Sequence, residues 1–177
     1  YRWEGLFGAI VFGLIFSFVV VLPHPPVKKF FLADFYLGRA LNLQLWRGRI
    51  DAKMWLYLVG AIMLELNVLS FAGHHHMLYG SDASPGIFIS GALLTFFVFD
   101  YLTFEEVHLY TYDLFAERVG FKLGWGCIAF YPFFYAIPLW ATADLPDPGS
   151  STFMLVLSVV IFLASWSLSR GANLQKY

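Results

Sequence analysis

Charge is scarce in this chain, and thiols nearly so. Only 13% of its 177 residues are Asp, Glu, Lys or Arg, whereas soluble domains carry roughly 25%. So little charge cannot cover a water-exposed surface, which excludes an ordinary soluble domain. One cysteine, Cys127, rules out an internal disulfide and a thiolate-rich metal cage. Neither G-x-G-x-x-G nor a Walker loop occurs, so any nucleotide is held outside a Rossmann or P-loop frame. The opening YRWEG has no Met and no positive n-region, so residues 5–22 do not read as a signal peptide. The chain reads as an excerpt of a longer one. A formal net charge of −1 offers no global attraction to nucleic acid, and none is expected as a partner.

What the chain does contain is apolar: 59% hydrophobic and 20% aromatic residues, with mean hydropathy +0.67. A bilayer core is crossed by about 20 apolar residues in a helix. Five segments meet that length: 5–22, 54–72, 87–104, 121–140 and 152–168. The predicted fold is an all-α polytopic transmembrane helix bundle, with 1–177 as a single integral membrane domain. The lipid bilayer is its first partner. Pro23, Pro25 and Pro26 close the first span, and Pro132 and Pro138 predict kinks in the fourth. Ten of the eleven basic residues fall in the segment after span one, at the third connection or in the tail; only Arg2 lies elsewhere. The positive-inside rule then places those three regions in the cytoplasm. The membrane is the endoplasmic reticulum if the source is eukaryotic, and the inner membrane if it is bacterial.

Polar chemistry concentrates in residues 99–135, where two apolar runs meet across a junction holding Asp100, Glu105, Glu106, His108, Thr111, Asp113, Glu117 and Arg118. Ionisable groups gathered at the end of membrane spans point to binding or catalysis. Glu106, Thr111 and Asp113 read as a hydrogen-bonding constellation at the mouth of a cavity. Tyr131 and Tyr135 share a helix face, and a phenol in an apolar pocket can donate a proton without carrying charge. Glu65, eleven residues into the second span, either hydrogen-bonds a neighbouring helix or lines a pocket. The basic segment 27–53 alternates rings with charges, a pattern suited to an interfacial helix. His74, His75 and His76 are consecutive, so they cannot all face one ion on a regular helix. They read as an interfacial polar cluster, and no metal is assigned. Arg170, Asn173, Gln175 and Lys176 make a polar tail suited to a phosphate-bearing ligand or to snorkelling at the interface.

These fragments, in this order, resemble the membrane sterol reductases, the family of the 14-, 7- and 24(28)-position reductases and the reductase-like domain of lamin B receptor. FYLGRALN followed by IDAKMW is similar to the family's D-F-F-x-G-R-E-L-N-P and D-L-K-M. Glu105, Leu109, Thr111 and Asp113 match E-x-x-x-L-x-T-x-D. Gly120, Phe121 and Leu123 follow as G-F-x-L, then Pro132, Phe133 and Tyr135 as P-F-x-Y. Arg170, Gly171, Ala172, Asn173, Gln175 and Lys176 match R-G-A-N-x-Q-K. Cys127 stands where the family carries Asp, and residues 56–60 replace its E-x-R-P-G. The resemblance implies an oxidoreductase that uses NADPH to reduce a sterol carbon–carbon double bond, by alkene protonation and hydride transfer, in sterol biosynthesis. It implies that Arg170, Asn173 and Lys176 contact NADPH. Glu106, Asp113 and Tyr135 then stand as the groups that deliver or orient the proton. It also implies a longer family domain, of which this chain is a portion. The alternatives are a non-catalytic sterol-binding or scaffold relative, or another membrane enzyme such as an isoprenyl-cysteine methyltransferase or a steroid 5-alpha-reductase relative.

Overall fold

In the computed structural model, which describes residues 2–175, the chain is helical apart from one short β-ribbon. Helix α1 spans Arg2–Val21, α2 Phe31–Leu37 and α3 Ala52–Tyr79; α4 spans Pro85–Thr103 and α5 Tyr112–Phe115. The fourth span is assembled from α6 (Phe121–Trp125), a π-helical turn (Gly126–Phe130), α7 (Tyr131–Phe134) and α8 (Ile137–Thr142), and α9 covers Thr152–Leu174. Among the described residues, five helical stretches are long and apolar enough to cross a membrane: Arg2–Val21, Ala52–Asp82, Pro85–Thr103, Phe121–Thr142 and Thr152–Leu174. Their outer faces are apolar. Phe7, Ile15, Leu66, Phe99, Phe153, Val160 and Leu168 are all exposed, an arrangement stable in lipid and not in water. The protein is an all-α polytopic membrane bundle.

The helix ends follow from local chemistry. Pro23, Pro25 and Pro26 cannot continue α1, and His24 Nδ1 donates to the Val20 carbonyl (2.8 Å), satisfying one orphan acceptor of the last turn. Pro132 has no N–H and its ring crowds the carbonyl four residues back; the chain accommodates it with the π-turn immediately before. Pro138 sits at the start of α8, where a missing N–H costs nothing. The Ser151 side chain caps α9 by accepting from Met154 N–H (3.4 Å).

Two spans run further than the hydropathy predicts. Helix α3 continues two turns past residue 72 and carries the three histidines, and α9 carries Arg170 and Asn173 in its last turns. Hydropathy marks where apolar residues end, whereas backbone hydrogen bonding continues until a capping or breaking residue stops it. The basic segment differs the other way. It is helical only over α2 and then forms a ribbon, pairing β1 (Gln44–Leu45) with β2 (Ile50–Asp51).

The fold divides into two compact units. One comprises the chain through Leu64 together with His108–Tyr135; the other comprises Glu65–Val107 with the chain from Ala136. In the first, α1 packs on α6 and the π-turn through small residues. Gly13 lies against Trp125, where an added Cβ would be 3.3 Å from Trp125 Cα, and Gly124 lies against the Phe16 ring. Close backbone approach of this kind drives helix association where the hydrophobic effect is absent. In the second, α4 packs on α9, where the Phe96 ring meets Trp166 edge-on at 5.2 Å.

Candidate functional site

In the first unit, the FYLGRALN stretch is a clasp. The Asp34 carboxylate is wholly buried and accepts from the backbone N–H groups of Val27 (3.1 Å) and Lys28 (2.7 Å) and from Arg39 Nε (2.9 Å). Arg39 Nη1 in turn donates to the His24 carbonyl (2.9 Å). Burial alone pushes the Asp34 carboxyl up, but the two backbone donors and the guanidinium outweigh it and hold it below its ordinary value. Gly38, at φ +88°, ends α2 where an added Cβ would collide with the Val119 carbonyl. Ala40 then bridges to Val119, whose N–H donates to the Ala40 carbonyl (2.8 Å). The specific-looking residues Gly38 and Arg39 therefore serve architecture. They fix the start of the basic segment against the start of the fourth span.

That contact positions the acid-rich junction. Lys53 is 1% exposed, and its Nζ donates to the Asp113 (3.3 Å) and Leu114 (2.5 Å) carbonyls. It thereby pins α5 to the first turn of α3. The Asp113 carboxylate lies close enough to Tyr57 and Glu117 to act on both electrostatically. Glu117 is buried, with Lys122 Nζ 3.0 and 3.1 Å from its two oxygens. Burial raises the Glu117 carboxyl; Lys122 opposes this and the neighbouring Asp113 adds to it. Tyr57, Asp113, Glu117 and Lys122 thus form one electrostatic network at the junction.

The three residues expected to manage a proton are not all in this network. Asp113 is at its centre. Tyr135 is 47% exposed at the end of the same unit, its ring edge-on to Tyr131 at 4.9 Å. Glu106 is exposed in the 3₁₀ turn Glu105–Tyr110 and belongs to the second unit. Thr111 does not join the expected constellation. Its hydroxyl turns back to donate to the His108 carbonyl (2.7 Å), because a threonine at the start of a short helix bonds its own turn first. Sequence reading missed Lys53, Tyr57 and Lys122. The available signal was weak: a lysine beside an apolar run reads as a snorkelling anchor, and only the fold turns Lys53 inward.

In the second unit, Arg170 and Asn173 lie one turn apart on α9. The Arg170 guanidinium is 15% exposed; Nη2 donates to Asp100 (2.6 Å) and the group stacks 3.9 Å over the Phe104 ring. One of its five N–H donors is thus committed to Asp100. Its other donors make no further ion pair among the described residues. Lys176, the third residue expected there, lies outside the described residues. Glu65 accepts from Thr95 Oγ1 (2.9 Å), which is the helix-pairing alternative. The histidines tie loops together. His74 Nε2 meets Asp144 (2.8 Å), while His75 joins the Ala143 carbonyl (3.1 Å) to the Ser84 N–H (2.8 Å). Among the described residues, no group of three or more His, Cys, Asp or Glu side chains could hold a metal ion.

Comparison with known proteins gives this arrangement a context. The delta(14)-sterol reductase of Methylotuvimicrobium alcaliphilum is 32% identical over 159 residues, covering 87% of this chain and 35% of that protein. The delta(14)-sterol reductase of Arabidopsis thaliana is 26% identical over 160 residues, covering 86% of this chain and 40% of its own. That of Saccharomyces cerevisiae is 31% identical over 143 residues, covering 81% and 32%. The chain thus spans about a third to two fifths of the length of these curated relatives. The sequence profile of the Ergosterol biosynthesis ERG4/ERG24 family matches residues 26–177, from the clasp through the junction to the tail, and the chain belongs to that family.

Proposed function

We propose that the full-length protein reduces a carbon–carbon double bond of a sterol in sterol biosynthesis, using NADPH, within the membrane of the endoplasmic reticulum or its bacterial counterpart. The observation that carries this reading is the alignment of more than four fifths of the chain with proteins named delta(14)-sterol reductase. The same names make a sterol 14-position double bond the first substrate to try. The basic loops face the cytoplasm on this reading, where a soluble cofactor is available.

When bound, the reduced nicotinamide supplies the hydride. The chain's own residues do the remaining work. Arg170, held in one orientation by Asp100 and Phe104, presents its free donors to phosphate, with Asn173 and Lys176 beside it in the sequence. A pre-oriented fork loses less side-chain freedom on binding than a solvated one. Asp113, exposed at the junction beside Tyr57 and Glu117, takes a proton from solvent and supplies it to the substrate. Tyr135 and Glu106 are the other two candidates for delivering or orienting it. The apolar spans exclude water from the cation that alkene protonation creates on the substrate.

The test is turnover of a delta(14)-unsaturated sterol by the full-length, detergent-solubilised protein with NADPH, read by mass spectrometry of the sterol. Loss of a general acid costs about 100-fold or more, so Asp113→Asn and Tyr135→Phe are each expected to slow turnover by that factor while the protein stays folded. A folded protein that consumes neither NADPH nor sterol would instead belong to the non-catalytic relatives.

A further inference from the structure

We propose that a cavity of about 310 Å³ beside Gly38, in the first unit, binds the phosphate-bearing headgroup of an anionic phospholipid. Its polar wall is formed by Lys28, Tyr112, Glu117, Arg118 and Lys122. The cavity follows from the clasp. Asp34 holds the Val27–Lys28 backbone on one side, and the Ala40–Val119 bridge brings residues 116–122 to the other.

Three cations face one carboxylate there. Lys122 is already paired with Glu117. Among the described residues, neither the Lys28 ammonium nor the Arg118 guanidinium meets a carboxylate. A fork and an ammonium converging on a concavity match a phosphate oxyanion, the fork in bidentate fashion. The Tyr112 hydroxyl can add a further donor, and Glu117 can accept from a headgroup hydroxyl.

Depth in the bilayer and the surrounding surface select a lipid over a soluble phosphate. Helix α1 ends at Val21, a few residues before Lys28, and Lys122 is the second residue of the span Phe121–Thr142. Both walls therefore stand at span ends, the level of headgroups. Phe30, Phe31, Leu32, Tyr36 and Phe115, close in sequence to the lining residues, are exposed. They offer an apolar path for acyl chains and nothing to a free anion. The site draws on neither the sterol nor NADPH, and its test reads lipid retention, so its failure and that of the reductase reading are distinguishable.

The test is native mass spectrometry of the full-length protein with dioleoyl phosphatidylglycerol or dioleoyl phosphatidylcholine added, with excess inorganic phosphate as competitor. Phosphatidylglycerol is expected to be retained at least about tenfold more tightly, a difference of about 1.4 kcal/mol. Lys28→Gln and Arg118→Gln should each weaken it about fivefold, Arg118→Lys should keep most of the preference, and Lys29→Gln, outside the cavity, should change little. Thermal melting of each variant confirms that it is folded. Equal retention of the two lipids, an effect of Lys29→Gln as large as that of Lys28→Gln, or displacement by phosphate alone would each overturn the proposal. The last of these would mark a free-anion site.

Discussion

Among the described residues, each unit has an Arg–Asp pair at a helix end, and the two are built differently. Arg39–Asp34 is sealed: side-chain exposures are 9% and 0%, two backbone N–H groups complete the carboxylate, and a carbonyl accepts from the guanidinium. Arg170–Asp100 is joined by a single 2.6 Å contact with both side chains partly accessible, and most of the guanidinium fork remains available. Desolvating an ion pair is costly unless its remaining hydrogen-bonding capacity is filled. The first pair meets that condition through the backbone and so can only be structural. The second leaves capacity open, which is what a ligand-binding group requires. The comparison separates two arginines that look equally specific in the sequence.

The comparison breaks most visibly at Arg39. Arg39→Ala leaves the Asp34 carboxylate buried without its cation and is expected to abolish recovery of folded protein, read as loss of the monodisperse peak in detergent gel filtration. Gly38→Ala attacks the same clasp through the backbone. It combines a positive φ with a collision against Val119, and a cost of about 2–3 kcal/mol is expected, measurable as a large drop in melting temperature. Asp100→Asn tests the looser pair. Stability should fall by about 1 kcal/mol at most, while Arg170 keeps its place over the Phe104 ring; a loss matching that of Arg39→Ala would erase the distinction.

The smallest effect is a pH dependence. Glu117 has its carboxyl raised from an ordinary 4.5, so its contribution to stability is complete below that pH and is lost as pH rises through the raised value. Asp34, lowered from 3.8, has the opposite sign: its contribution is present above that pH and lost on further acidification. Glu117→Gln should therefore remove a decline in melting temperature above pH 4.5, without altering the acid limb. A Glu117→Gln profile parallel to that of the wild type would show that Glu117 is not the titrating group.

The spans were legible in the sequence because twenty apolar residues in a row admit one structure in lipid. Their ends were less so. The histidines and Arg170 were read as loop and tail, because hydropathy falls there while the helix continues. The E-x-x-x-L-x-T-x-D block stood out in the sequence as chemically rich, and Asp113 lies there beside Tyr57 and Glu117. Yet its partners Tyr57 and Lys53 come from another helix sixty residues away, and no local pattern announces a pairing at that distance. Gly38 and Arg39 carry part of the family match, and the sequence alone does not show what they do. A left-handed glycine beside a buried arginine is as particular as a ligand site, and only the carbonyls and the carboxylate around it show that it closes on itself.

The central claim is that the tail and the junction belong to an NADPH-dependent sterol reductase. Equilibrium binding of NADPH to the full-length, detergent-solubilised protein, alongside its Lys176→Glu variant, tests it most directly. The account predicts that the wild type binds and that the charge reversal weakens binding at least about tenfold, roughly 1.4 kcal/mol. A folded wild-type protein that does not bind NADPH, or a variant that binds it equally well, would contradict the account.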